Sequence, residues 1–554
     1  MATEEEIADA HKKLEKEYKD VMESLGDLYV AVEAVKAAGI GDDIESLLDA
    51  VADEANKART GGIVGSGAKG HRRALKKYRE LTTQICRAHF ANTEGRQNRY
   101  VRFMTIDDGT LDTLTNETAE LLQTLIQNEC VNDGTPESGH ETRNGDVLKT
   151  VIEGSSVDLE ILPGLPDRDS IVARLPGTDP DAPALMLMGH TDVVPVSPEG
   201  WKVDPFGGER IGNEIWGRGA VDMLNVTSSM AIAFRHLASG NKRYPGDIVY
   251  FGVADEEAGG VFGAEPLVRD RWDALHCDYV LTEYGGSPLV TDDGITVLLT
   301  TAEKGVCAQK LVVSGEPGHG SMPYRTDNAI SKAAEIVRRI EAYDPGPKID
   351  QLFEGRIKAQ NFDAETEAKL LDAGRIGEAL EEMEPGLARN LHSCCHTTFS
   401  PNLISGGTKH NTIADRVDLT VDIRILPGET VEDAQQHLRD AIGPELMGST
   451  VIEAIHSQQA TESSTDSPLW SALTDAIQMT YPGARVLPSM VTGGTDARFF
   501  RRRGVPSYGA GLLSPEISLG EFMNRFHGHN ERIDIESLRL TTKLWLDVVD
   551  RLWT

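Results

Sequence analysis

Cysteine is scarce in this chain, which has 6 cysteines among 554 residues. Cysteines so thinly spread do not suggest a disulfide framework. Positive charge is also in short supply, because 55 Lys and Arg residues face 88 Asp and Glu residues, which gives a formal net charge of -33. Nucleic acids and anionic membranes would be repelled by this negative excess, so neither is expected as a partner.

Long apolar runs are missing as well. No segment reaches the roughly 18 consecutive apolar residues that a membrane-spanning helix needs. The start of the chain is charged and has no apolar signal core, so no secretory signal is visible. Since 40% of the residues are hydrophobic and 26% are charged, the composition suits globular domains, and we expect a cytoplasmic protein.

The first 105 residues differ in pattern from the rest of the chain. Apolar residues from Ile7 to Val35 recur at alternating spacings of four and three, which is typical of a helix that packs as in a coiled coil. This apolar stripe can be buried on another chain or within a helical hairpin. We therefore predict a helical, coiled-coil-like extension over 1–105, which favours a homo-oligomer and offers a surface for a protein partner.

Short apolar strands alternate with amphipathic helices in most of the remaining sequence. The apolar segments 184–189, 247–254 and 277–283 are examples of these strands. The alternation predicts an α/β fold with a mostly parallel sheet and helices on both faces. In such sheets ligands bind at the carboxyl ends of the strands. We assign 106–301 and 458–554 to this catalytic domain.

A different order of elements occupies residues 302–457. Strand and helix patterns follow each other there as β-α-β-β-α-β, which is the ferredoxin-like split motif. Additional helical sequence at 344–396 enlarges its first crossover. Because the pattern of the larger domain resumes afterwards, we predict that a smaller α+β domain is inserted into the catalytic domain.

Histidines and carboxylates follow the strands of the catalytic domain where each strand ends. Such side chains converging on one sheet edge indicate a metal site with nitrogen and oxygen ligands, and their number would support two divalent ions that share a carboxylate. A dinucleotide site at GRGAVD is disfavoured, since the full glycine fingerprint is absent. The candidates are His190, Asp192, Asp222, Asp255, Glu256, Glu257, Glu283, His527 and His529.

Seven motifs in a fixed order extend this interpretation: GHTDVVP, GRGAVDM, DEEAGG, LTEYGG, PGHGSMP, GGTDAR and HGHNE. Together they resemble the dinuclear zinc metallopeptidase family of aminoacylases, glutamate carboxypeptidase and succinyl-diaminopimelate desuccinylase. The resemblance covers about 110–554 and implies hydrolysis of an amide bond in a small peptide or N-acyl amino acid with a free carboxylate. It further implies that the inserted domain serves as a lid and dimerisation domain.

The same resemblance implies two divalent metal ions, with zinc favoured and cobalt or manganese as alternatives. His527 is preferred over His529, because Asn530 and Glu531 fix the family pattern His-x-x-Asn-Glu. The implied ligands are His190 and Glu283 for the first ion, Glu257 and His527 for the second ion, and Asp222 as the bridge between them.

Catalytic and substrate-binding roles are implied in the same way. Asp192 orients the His190 ring, Glu256 is the general base, and His319 stabilises the tetrahedral oxyanion, from the partner subunit in dimeric members. Arg suits a free carboxylate, because its planar fork can bind both oxygens. The implied substrate-binding residues are Asn411, Arg424, Gly494 and Thr495.

Two further hypotheses concern features outside these motifs. A tract of His392, Cys394, Cys395 and His396 could bind metal, but it leads directly into a predicted strand, and a structural role is favoured. Alternatively, the extension over 1–105 makes the protein primarily a component of a larger assembly, in which hydrolysis is secondary or vestigial. The complete set of ligands argues against vestigial catalysis.

Overall fold

The computed structural model describes residues 106–553 apart from 155, 292, 293 and 518. The predicted helical, coiled-coil-like extension over 1–105 lies outside the described residues. Among the helices of the described part, none combines the length and the apolar character that crossing a membrane requires.

The strands of the described residues form four sheets, of ten, four, three and two strands. In chain order they are β1 (Asp158–Leu162), β2 (Ser170–Leu175), β3 (Leu185–His190), β4 (Glu209–Ile211), β5 (Glu214–Trp216), β6 (Ile248–Val253), β7 (Tyr279–Thr282), β8 (Gly285–Thr291), β9 (Gly294–Glu303), β10 (Gly305–Ser314), β11 (Gly318–His319), β12 (Thr398–Gly406), β13 (Thr412–Ile413), β14 (Arg416–Ile425), β15 (Thr450–Gln458), β16 (Thr461–Glu462), β17 (Arg485–Val491), β18 (Ser507–Gly509) and β19 (Arg532–Asp534).

Helices connect most of these strands. In chain order they are α1 (Asp108–Gln127), α2 (Thr142–Ile152), α3 (Leu224–Ser239), α4 (Ala264–Asp270), α5 (Trp272–Leu275), α6 (Ala329–Glu341), α7 (Gln351–Ala359), α8 (Ala364–Leu370), α9 (Ile376–Glu382), α10 (Pro385–Cys395), α11 (Val431–Ile442), α12 (Pro444–Met447), α13 (Pro468–Thr480), α14 (Ala497–Arg501), α15 (Leu519–Arg525) and α16 (Ile535–Leu552).

The large sheet is mixed, so the prediction of a mostly parallel sheet is wrong. Its strands pair in the order β1-β2-β6-β3-β7-β18-β9-β16, with β8 and β17 also paired to β9. The run β6-β3-β7-β18 is parallel and β17 is parallel to β9, whereas β1, β2, β8 and β16 join antiparallel neighbours and β18 meets β9 in antiparallel. Hydrophobic periodicity indicates which face of a strand is buried but not the direction in which the strand runs. It therefore could not show that the flanking strands β1, β2, β8 and β16 are antiparallel to their neighbours.

Helices cover both faces of the large sheet, as the sequence predicted. On one face α1, α3, α13 and α16 bury side chains such as Leu125, Phe234 and Trp545. On the other face α4 and α14 bury Leu267 and Phe500. Each large apolar side chain buried in this way contributes about 1.5–3 kcal/mol, so the two layers fix the sheet from both sides.

The four-stranded sheet has the predicted β-α-β-β-α-β connectivity. Its antiparallel strands pair in the order β12-β14-β10-β15, and α6 and α11 bury Ile336 and Leu438 against it. The enlarged crossover forms α7 to α10, which build a separate core around Phe353 and Leu391 that contacts Met490 of β17. Its role as a lid or dimerisation domain stays a prediction.

A two-stranded ribbon joins the large sheet to the four-stranded sheet. Only Lys304 separates β9 from β10, and β15 and β16 run back beside them. Glu303 pairs with Thr461, and Val306 pairs with Gln458, so one antiparallel register continues through the junction. Lys304 is buried there, and its ammonium donates to the backbone oxygens of Ser393 and His396 at the end of α10.

Candidate metal centre

Three parallel strands bring the first candidate side chains to one edge of the large sheet. His190 is the last residue of β3, the segment Asp255–Glu257 follows β6, and Glu283 follows β7. Because β6, β3 and β7 are parallel neighbours, their carboxyl ends meet at the same edge. The structure therefore brings these side chains to one edge of the sheet.

Two loops supply the remaining candidates. Asp222 lies between β5 and α3, and His527 lies between α15 and β19. The three-stranded sheet pairs β19 with β5, with Arg532 opposite Trp216. This small sheet therefore anchors both loops beside the edge of the large sheet.

The loops and strand ends place two groups of ligand atoms around Asp222. The Nε2 atom of His190 lies 3.2 Å from Asp222 Oδ1 and 3.7 Å from Glu283 Oε2. The Nε2 atom of His527 lies 3.2 Å from Asp222 Oδ2 and 3.4 Å from Glu257 Oε2. Within each triad the ligand atoms all lie within 4.8 Å of one another. Each triad can thus hold one cation, and Asp222 offers one oxygen to each.

The chemistry of these atoms fits divalent cations. Glu257 Oε1 and Glu283 Oε2 are buried without a hydrogen-bond partner, although buried polar atoms are nearly always paired. A cation would satisfy them, and imidazole with carboxylate ligands suits zinc as well as cobalt or manganese. The described part of the chain contains no third group of this kind.

The His/Cys tract has a structural arrangement. The rings of His392 and His396 stack with centroids 3.9 Å apart, and Cys395 Sγ donates to the backbone oxygen of Leu391 at 3.3 Å. Burial raises the pKa of Cys395 to about 12, so its thiol stays protonated. These contacts favour the structural interpretation of the tract.

Burial, hydrogen bonds and neighbouring charges shift the pKa values of three side chains in the centre. Burial alone would lower the pKa of His190, but hydrogen bonds with Asp192, Asp222 and Glu283 raise it well above its usual value. Hydrogen bonds with Asp222 and Glu257 raise the pKa of His527 to about 10. Burial and the nearby Glu283 carboxylate raise the pKa of Glu256 well above its usual value. Divalent cations would compete with these protons, because ligands bind metal in their deprotonated forms.

The ring of His190 is oriented by Asp192. Its Nδ1 atom lies 3.0 Å from the backbone oxygen of Asp192 and 3.4 Å from the carboxylate Oδ1. Since a carbonyl oxygen only accepts hydrogen bonds, Nδ1 carries a proton, and Nε2 is the nitrogen that would bind a metal once it is deprotonated. The Asp192 carboxylate is itself held by Asn132, whose Nδ2 donates to Oδ2 at 2.8 Å.

A buried ion cluster extends from Asn132 away from the metal centre. Arg168 pairs with Glu141 at 2.6 Å and with Asp255 at 2.8 Å, and all three side chains are fully buried. Asn132 also donates to Asp255 at 3.3 Å. The guanidinium is therefore linked through Asp255 and Asn132 to Asp192.

Arg168→Met should lower the free energy of unfolding by about 3–5 kcal/mol, because Glu141 and Asp255 would remain buried without their counter-charge. Urea denaturation followed by circular dichroism measures the change. The control is Arg269→Ala, which breaks an exposed ion pair with Asp270 and should leave the urea midpoint nearly unchanged. Equal effects of the two substitutions would contradict the assignment of Arg168.

Glu531 and Arg218 also support the centre. The sequence analysis used Glu531 only to identify His527 and gave Arg218 no role. Glu531 is buried and accepts hydrogen bonds from the backbone nitrogens of Val221 and Asp222 at 2.7 and 3.1 Å. Arg218 donates to Glu531 at 2.6 Å and to the backbone oxygen of His527 at 3.2 Å. The pair thus ties the two loops together. Both residues lie within motifs that also carry candidate metal ligands, and this position was the signal that could have identified them.

The candidates in the inserted region form their contacts with one another and with neighbouring residues of that region. His319 forms β11, which pairs with β13 next to Asn411, and Gly320 donates its N–H to the Asn411 backbone oxygen at 2.8 Å. Arg424 lies on β14 and donates to Asp422 at 3.1 Å. In the described residues, no hydrogen bond or ion pair connects His319 with either metal-binding triad.

The tautomer of His319 follows from its neighbours. The backbone N–H of Ser321 donates to His319 Nδ1 at 3.2 Å, and the Ser321 hydroxyl lies 2.8 Å from the same atom. Nδ1 is therefore the acceptor, and the proton resides on Nε2. The exposed Nε2–H is available as a donor.

The GGTDAR loop reaches the segment that carries Glu256. Thr495 donates to the buried Glu303 carboxylate through its backbone nitrogen at 2.7 Å and its hydroxyl at 2.9 Å. Arg498 donates to the backbone oxygen of Gly259 at 2.9 Å, at the end of the short 3-10 helix Glu256–Ala258. Arg498 thus links the loop that contains Gly494 and Thr495 to the segment that carries the candidate base.

Comparison with known proteins agrees with this geometry. The sequence profile of peptidase family M20/M25/M40 matches residues 186–551. The chain is 28% identical over 420 residues to N-fatty-acyl-amino acid synthase/hydrolase PM20D1 of Xenopus tropicalis, which covers 73% of this chain and 78% of that protein. It is 26% identical over 379 residues to aminoacylase-1 of Sus scrofa, covering 68% and 80% of the two chains.

Solved structures share the fold. The M20 family metallo-carboxypeptidase Sso-CP2 from Sulfolobus solfataricus superposes with a TM-score of 0.59 at 17% identity, covering 81% of this chain and 99% of that chain. Human carnosine dipeptidase 1 gives a TM-score of 0.57 at 18% identity, covering 80% and 97%. Since the family profile spans more than half of the chain, this metallohydrolase belongs to peptidase family M20/M25/M40.

Proposed function

We propose that the protein hydrolyses an amide bond of a small peptide or N-acyl amino acid that carries a free carboxylate, with two zinc ions at the metal centre. The observation that carries this proposal is the pair of ligand triads that share Asp222, with the half-buried Glu256 next to Glu257 in the chain. His190 and Glu283 would hold one ion, and Glu257 and His527 the other. One relative is named N-fatty-acyl-amino acid synthase/hydrolase and another is named aminoacylase-1. Both names support the proposed substrate class.

Glu256 is the general base in this proposal. When bound, the two ions act as Lewis acids that polarise the amide carbonyl and acidify water. The Glu256 carboxylate accepts a proton from the attacking water and then delivers it to the leaving nitrogen. Burial and the neighbouring Glu283 raise the pKa of Glu256, and two bound cations would lower it again, so that the carboxylate could accept the proton. Asp192 keeps the His190 ring in the orientation that presents Nε2.

Side chains of the inserted region bind and orient the substrate. The guanidinium of Arg424 and the amide of Asn411 bind its free carboxylate, since the Arg fork can bind both oxygens. Gly494 and Thr495 hold the backbone next to the scissile bond. The Nε2–H of His319 donates to the oxyanion that develops on the carbonyl oxygen.

A substrate panel tests this function. Zinc-loaded protein should cleave N-acyl amino acids or dipeptides, and the matching C-terminal amides should be poor substrates because they lack the carboxylate for Arg424. Failure of the zinc-loaded protein to cleave any member would refute the proposal. The alternative of an assembly component with vestigial hydrolysis is disfavoured, because both ligand triads are complete.

His319→Ala should lower kcat by about 10²–10³-fold, as expected when one oxyanion donor is removed. Its zinc content should stay unchanged, because His319 contacts neither triad. Steady-state kinetics and metal analysis of the same preparation measure both quantities. Wild-type kcat in this variant would remove His319 from the mechanism.

We further propose that His319 acts on the centre of a partner subunit. Mixing His319→Ala with Glu256→Gln protein under subunit exchange would then create dimers with one complete site. Statistical exchange in a two-fold dimer predicts about a quarter of wild-type activity. Exchange that is proven by mass spectrometry but restores no activity would place His319 in the same chain as its centre.

A further inference from the structure

We propose that Tyr284 is a positioning residue of the metal centre. It holds Asp222 and the loop of His527 in the positions from which they would bind the second ion. The inference rests on the proposed dinuclear function. Tyr284 directly follows Glu283, a candidate ligand of the first ion, and its side chain contacts Asp222 and Phe526, the neighbour of His527. It therefore connects three of the segments that build the centre.

The hydroxyl of Tyr284 contacts one particular oxygen of the bridging carboxylate. It donates to Asp222 Oδ2 at 2.7 Å, the oxygen that lies 3.2 Å from His527 Nε2. The other oxygen, Oδ1, faces His190. A carboxylate oxygen has two lone pairs, so Oδ2 can accept the phenol hydrogen bond and still bind a cation. The hydroxyl thus fixes the rotation of Asp222 without occupying its metal-binding position.

The ring of Tyr284 contacts the loop that carries His527. It stacks on Phe526 with centroids 5.1 Å apart and an angle of 17° between the planes, and Phe526 also packs edge-on against Phe522 of α15. His527 is the next residue along the chain, and its side chain is about half exposed. The aromatic pair therefore limits where the imidazole can lie.

The backbone at Tyr284 is shaped for these contacts. Its φ of 63° lies in the left-handed region, which is uncommon for a residue with a side chain and persists where surrounding contacts fix it. The next residue, Gly285, passes so close to β18 that a Cβ atom would lie 2.1 Å from the Gly509 backbone oxygen. This turn directs Glu283 and Tyr284 into the centre as consecutive residues.

Zinc titration against a chromophoric chelator separates the two contacts. Tyr284→Phe keeps the stack and removes the hydroxyl, whereas Phe526→Leu keeps the hydroxyl and removes the stack. Each should weaken one of the two zinc sites by about 10–100-fold and leave the other site unchanged, as loss of a supporting contact does. Tyr481→Phe is the matched control, since its hydroxyl donates to the backbone oxygen of Leu513 and to no metal-binding side chain.

Activity distinguishes positioning from direct participation in catalysis. Saturating zinc should restore kcat of Tyr284→Phe to the wild-type value, because a positioning residue acts through metal occupancy. Wild-type affinity at both sites in both variants, or a kcat that stays low at saturating zinc, would overturn the proposal. Wild-type protein is measured first: if it fails to bind two zinc ions or to hydrolyse the panel, the proposed function fails instead.

Discussion

Glu256→Gln should lose nearly all turnover while both zinc ions stay bound. Glutamine preserves the size of the side chain but cannot accept a proton from water, and loss of a general base lowers the rate by about 10²–10⁴-fold. Glu256 does not belong to either ligand triad, so its amide should leave metal binding intact. Stopped assays of kcat and metal analysis by mass spectrometry measure the two effects on one preparation.

The matched control is Glu209→Gln, which neutralises an exposed carboxylate on β4. This variant should retain wild-type kcat, because it changes the net charge by the same amount away from the centre. Near-normal turnover of Glu256→Gln with two ions bound would show that another group takes the proton.

Asp222→Ala should instead lose the metal and, with it, all measurable hydrolysis. One carboxylate serves both triads, so a single substitution removes a ligand from each ion. The loss should exceed the roughly 10–100-fold weakening that follows from removal of a mere supporting contact. Equilibrium dialysis against buffered zinc measures the affinity, and circular dichroism verifies that the variant is folded.

A control for charge is Asp475→Ala on α13, where the carboxylate is exposed. It should bind zinc as the wild type does. If Asp222→Ala still held two ions at wild-type affinity, Asp222 would not be the bridge, and the two triads would have to be completed by other oxygens.

Much of the fold follows from local sequence patterns. Strands β3, β6 and β7 are short and consist mostly of buried apolar residues, which distinguishes them from the surrounding helices. The direction of the flanking strands could not be predicted in this way. Strands β8 and β9 form an antiparallel hairpin, which the alternation of strand and helix patterns did not indicate.

The candidate centre was predictable where consecutive motifs carry it. His190, Glu257 and Glu283 end or follow apolar strands, and strand direction then places them together. Supporting contacts were not predictable, because they join segments distant in sequence: Glu531 accepts a hydrogen bond from Asp222, 309 residues earlier in the chain. Tyr284 was missed for the same reason, since its partners Asp222 and Phe526 come from different loops.

The ribbon between the large sheet and the four-stranded sheet restricts how these two sheets can move relative to each other. Its register runs unbroken from the pair Glu303 and Thr461 to the pair Val306 and Gln458. Two hydrogen-bonded strands twist readily, and bending or twisting keeps the ladder intact, whereas sliding one sheet past the other would break it. The register therefore fixes the separation of the two sheets along the ribbon, and any movement of the inserted sheet relative to the metal centre must bend or twist these strands rather than slide them.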